Sequence, residues 1–152
     1  MSHETTVYGF IEGATFRGDD YRKLQLANLQ VLRALPEEDE FPVLSRGMFS
    51  SPGLEPRRGT FRSQIIHFGG SIKGLDFGEV PLWIAKFEQL LRRLFWFEAA
   101  AHLLTEYIDG EYRFRWSAHK EVLETYNSDA PAPTTMWVRD EEHGERDLLP
   151  LE

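Results

Sequence analysis

The stretch from Pro81 to Gly110, PLWIAKFEQLLRRLFWFEAAAHLLTEYIDG, constrains the fold more than any other part of the chain. Stepping by four and three, Trp83, Phe87, Leu90, Leu94, Phe97, Ala101, Leu104 and Ile108 form one apolar stripe, the mark of a helix lying on a core. Pro81 suits a first helical turn, and Gly110 suits the residue just past the last one. Read as one helix over residues 81–109, the segment would be roughly 40 Å long, the width of a small domain. On a helical wheel, Glu88, Arg92 and Glu106 lie opposite the stripe as a wet face, but Trp96 and Leu103 lie there too, with Ala99 beside them. The second half is therefore apolar nearly all round. Two readings stay open: a central helix buried on both sides, or a partner-binding patch centred on Trp96. Neither is a membrane span, because Lys86, Glu88, Arg92, Arg93, Glu98 and His102 interrupt the run well short of the ~20 apolar residues a bilayer requires.

The rest of the chain supplies strands for this helix to lie on. Val7 to Gly13 is short, apolar and bounded by glycine, and reads as a first strand. Asp19 and Asp20 offer a cap to a second helix over about residues 20–35, with Leu24, Ala27, Val31 and Leu35 as its inward stripe and Pro36 ending it. PEEDEFP is an acidic loop, and SRGMFSSPGLEPRRG holds too much glycine, proline and serine for regular structure. Phe61 to Phe68 reads as a strand, followed by a glycine-rich turn, GGSIKG. In EYRFRW, Tyr112, Phe114 and Trp116 alternate with Glu111, Arg113 and Arg115, as a strand with one dry and one wet face requires. SAHKEVLETY suits a short helix capped by Ser117, SDAPAPTT a connector, and DEEHGERD a late hairpin around His143 and Gly144. The order implies an α+β fold: a mostly antiparallel sheet with the long helix across one face. Residues 1–126 form a single α+β domain, and residues 127–152 an acidic segment packed on it as a late strand or hairpin.

Composition narrows the function classes. A chain of 152 residues, 41% hydrophobic, can bury a core unaided. With no cysteine, disulfides, thiolate zinc sites and cysteine nucleophiles are all excluded. The opening MSHETTVYG lacks the basic start and apolar core of a signal peptide, so a cytoplasmic location is expected. The net charge is −8, and from Asn127 onward seven acids stand against Arg139 and Arg146, a net of −5. Such a balance argues against a nucleic-acid backbone as partner and suits steering toward a basic protein.

Chemistry-bearing groupings are few. Glu98, His102 and Glu106, spaced by four, would form a ridge on a helix and converge within two turns, as metal ligands or an acid–base pair must. Glu–His pairs satisfying each other at a helix edge give the same spacing, and no other histidine completes a ligand set. GGSIKG with Lys73 has the glycines of an anion-binding loop but lacks the ending of a nucleotide loop. Arg113 and Arg115, with Arg57 and Arg58, are either an anion cradle or simply a solvated face. No serine sits in a nucleophile elbow, and neither catalysis nor a cofactor is expected.

VYGFIEG at the start, WIAKFEQLLRRLFW and HLLTEYIDGEYRFRW in the middle, and the acidic end together resemble small bacterial immunity proteins that protect a cell from its own polymorphic or contact-delivered toxin. The resemblance covers the general character of the chain and transfers no functional residue. It implies a cysteine-poor, acidic, non-catalytic domain that plugs or distorts a toxin. Charge and aromaticity then suggest the binding surface: Glu37, Glu38, Asp39 and Glu40 in the acidic loop, Asp140, Glu141 and Glu142 near the end, and Trp96 as aromatic anchor. Two competing classes are a small enzyme or metal-binding protein using Glu98, His102 and Glu106, and a self-associating structural protein, a homodimer with Trp96 buried between chains.

Overall fold

A computed structural model describes residues 4–13, 20–51, 65–105, 110–118 and 137–145. Six strands, β1 (Glu4–Gly13), β2 (Phe49–Ser50), β3 (Ile65–Lys73), β4 (Trp96–Thr105), β5 (Gly110–Ala118) and β6 (Trp137–Glu145), form one sheet in the order β2-β3-β1-β4-β5-β6. Every neighbouring pair is antiparallel. Two helices, α1 (Asp20–Arg33) and α2 (Val80–Leu91), complete the described elements with one 3₁₀ turn, Arg46–Met48. The α+β class and antiparallel sheet are as expected.

The period of two decides which side chains face the helices. Val7 and Ile11 of β1, Ile66 and Phe68 of β3, Ala99, Ala101 and Leu103 of β4, and Phe114 and Trp116 of β5 all point to one side. There they join Leu32 of α1 and Trp83, Ile84, Phe87, Leu90 and Leu91 of α2 in a single core. Both helices therefore cover the same face. Phe87 centres the aromatic part, stacked on Trp83 at 5.4 Å and within 5.1 Å of Phe68 and 4.9 Å of Trp116. At Gly9 the Phe68 ring and the Ala100 carbonyl fill the space where a Cβ would stand.

The single long helix over 81–109 is not formed. The chain is helical from Val80 to Leu91, turns through Arg92 to Phe95, and continues as β4. The physical reason lies at the turn, where the buried Asn28 side chain of α1 donates Nδ2–H to the Phe95 carbonyl (2.9 Å) and accepts the Phe95 N–H (2.8 Å). One amide thus supplies both bonds that a continuing helix would have supplied. A similar device holds the entry to α2, where the Leu75 N–H donates to Thr5 Oγ1 and Thr105 Oγ1–H donates to the Leu75 carbonyl, both at 2.8 Å. Asp76 and Glu79 then exchange side-chain-to-backbone bonds before the first helical turn. Of the expected stripe, Phe87, Leu90, Leu94 and Ala101 are buried, whereas Phe97 and Leu104 are only half-buried. Phe97 is the extra residue of a bulge, because Gly13 pairs with Trp96 and Glu12 with Glu98.

Three local expectations are also corrected. Gly69 to Lys73 do not turn but run within β3 against β1, with Met48 packed over Gly70. His143 and Gly144 pair with Tyr112 and Glu111 inside β6, so no hairpin turns there. Ser117 is a strand residue of β5 rather than a helix cap; the short helix expected after it lies outside the described residues.

Candidate functional site

The second face of the sheet carries no described helix. Register places its side chains in rows across the strands: Gly69, Tyr8, His102, Arg113 and Glu142 in one, and His67, Phe10, Ala100, Arg115 and Asp140 in the next. Tyr8 and His102, neighbours on β1 and β4, stack with ring centroids 4.8 Å apart and planes 11° apart. Tyr8 is 43% exposed. The Nδ1 atom of His102 is shut off from solvent and has no hydrogen-bond partner among the described residues.

The stacked pair divides two shallow grooves. One, about 640 Å³, runs toward β3 between Tyr8, Phe10, Ile65 and His67 and is mainly apolar. The other, about 580 Å³, runs toward β6 between His102, Arg113, Arg115, Asp140 and Glu142 and is charged. Within it the arginines are already engaged: Arg115 with Glu98 at 2.7 Å, and Arg113 with Glu111 and, at 3.5 Å, with Glu142. They lie on the wet face as their alternation implied, paired rather than forming an open anion cradle. Arg57 and Arg58 lie outside the described residues.

The expected site residues separate. Trp96 is fully buried, its Nε1–H donating to the Leu91 carbonyl (2.8 Å) and its ring 5.8 Å from Trp137. An indole sealed inside its own chain offers no anchor to a partner and none to a second copy, which corrects the surface role considered for it. Glu37, Glu38 and Glu40 are exposed, but Asp39 is half-buried and structural. Its Oδ2 accepts from Lys86 Nζ (2.8 Å) and from the Leu44 N–H (3.0 Å). Partial burial would push the Asp39 carboxyl up, but the Lys86 ammonium and these hydrogen bonds outweigh it and hold the group below the usual carboxylate range. Asp140, Glu141 and Glu142 are exposed on β6. The two acidic groups do not merge. Lys86 ties the loop to one flank of α2, whereas Glu88, two residues on, accepts from Trp116 Nε1 and Arg139 on the other.

The strand assignment also undoes the metal or acid–base grouping. Glu98 and His102 share a face, but four residues of strand set them about 13 Å apart along the backbone, where one turn of helix would have set them side by side. Glu106 lies outside the described residues. No cluster of three metal-ligating side chains occurs among the described residues, and no described helix is long and apolar enough to cross a membrane.

Tyr8, Phe10 and His67 were not singled out from sequence. The signal was present in VYGFIEG, where Tyr8 and Phe10 alternate with Val7 and Ile11 and give the strand apolar residues on both faces. Comparison with protein-family models, with curated proteins and with solved structures finds no match to this chain.

Proposed function

We propose that the chain is a non-catalytic interaction protein, an immunity protein that binds and neutralises a cognate bacterial toxin through the face of its sheet that carries no described helix. The observation that carries this reading is the Tyr8–His102 stack, an exposed tyrosine laid on a half-buried histidine between an apolar groove and an acid-rimmed one. Productive interfaces place aromatic anchors centrally and charges at the rim. The net charge of −8 favours a basic toxin surface and speeds encounter with it. Tyr8 and His102 take the anchoring part that Trp96, being buried, does not play.

Co-expression with a toxin domain encoded beside this gene tests the proposal. The chain rescues growth and co-elutes with the toxin on gel filtration, and Tyr8→Ala weakens the complex by about tenfold or more without lowering Tm. Failure of both rescue and co-elution overturns the immunity reading. Rescue by Tyr8→Ala at full affinity would instead keep the function and move the interface elsewhere.

A further inference from the structure

The sheet ends on two unequal edges. β2, at one end, is two residues long and pairs only with His67 and Phe68, so the outer edge of β3 is interrupted by it and by Met48 lying over Gly70. At the other end, β6 is nine residues long, paired to β5 from Gly110↔Glu145 to Ala118↔Trp137, with no described strand on its far side. A strand in that position holds a row of backbone N–H and C=O groups directed away from the sheet, a template for another strand.

Its inner side chains hold β6 in place. Arg139 donates to Glu88 of α2 at 3.0 Å, the Arg92 guanidinium lies 5.2 Å above the Trp137 ring, and Trp137 packs on the buried Trp96. These contacts hold the start of β6 against the core, and its ladder to β5 holds the remainder in an extended form that a further strand can meet.

Its charge selects the occupant. WVRDEEHGE holds four acids and one arginine. Asp140 forms no ion pair among the described residues, and the Glu142 side chain, 77% exposed, touches Arg113 at only 3.5 Å. A second copy laid along this edge would set acid against acid, so self-pairing is opposed. The same carboxylates attract a cationic strand, whose long side chains would lie beside them at the spacing of adjacent strands.

We infer that β6 is a docking edge for an extended, lysine- or arginine-rich segment of a protein partner, which adds to the sheet as a seventh strand. The inference goes beyond the toxin reading and holds for any partner presenting such a segment. A nine-residue peptide of alternating lysine and valine is the probe, titrated calorimetrically into the intact protein and followed by amide hydrogen exchange. Two comparisons accompany it: the same peptide with every backbone amide N-methylated, and the exposed-site variant Asp140→Asn/Glu142→Gln, whose Tm should match the parent. The peptide binds and slows exchange across Trp137–Glu145, and either change weakens binding by about tenfold or more. Absence of binding, equal binding of the N-methylated peptide, unchanged binding to the variant, or protection confined to other strands each overturns the inference.

Discussion

Single side chains do the work of backbone at the corners of this fold. Asn28 is 1% exposed and satisfies both polar groups of Phe95, while Thr5 and Thr105 do the same for Leu75. Removing such a partner strands buried groups whose bonds to water were given up on folding. Asn28→Ala is therefore expected to cost about 2 to 4 kcal/mol in urea denaturation. Asn28→Asp should cost as much or more, since a carboxylate cannot donate to the Phe95 carbonyl. None of this was legible from sequence, where Asn28 is one polar residue in QLANLQ and its partner lies 67 residues away.

Among the elements, β1, β5, α1 and the start of α2 could be read locally, because each has a clean period or a clear terminus. Reading the whole of 81–109 as helix failed for a physical reason. FEAAAHLL has strong helix formers, and neither glycine nor proline separates α2 from β4. Tertiary pairing of β4 with both β1 and β5 overrides that propensity. The all-round apolarity near Trp96 was the visible sign, and it fits a strand flanked on both sides as well as a buried helix. The candidate face was hidden in the same way, since it arises only when β1 and β4 lie side by side.

The acidic loop before β2 shows the same dependence on distant partners. It was legible as irregular, but not as strapped to α2 by Asp39 and Lys86, whose side chains are 22% and 31% exposed. Asp39→Asn is expected to cost about 1 kcal/mol at neutral pH, a partly screened, charge-assisted contact. Because the folded-state pKa of Asp39 is depressed, the stabilisation is fully present above the unfolded value of about 3.9 and is lost as pH falls through the lower folded value. Melting curves of variant and parent should accordingly converge as pH falls below the ordinary carboxylate range.

For the molecule as a whole, the position of β1 has a consequence in time. It is the first strand along the chain, yet it lies inside the sheet, with Val7 opposite Gly70 on one side and Leu103 on the other. Neither neighbour is close in sequence, and no local hairpin can shelter β1 while the remainder is synthesised. Closing those loops comes before any gain from the contacts they bring, which places refolding in the millisecond-to-second range rather than the microsecond range of helical bundles. Stopped-flow tryptophan fluorescence would measure it directly. Until Ile65–Lys73 has left the ribosome, TTVYGFIEG is an apolar strand without a mate, so a nascent chain halted before that point should be a substrate for chaperones, and the released chain of 152 residues should not.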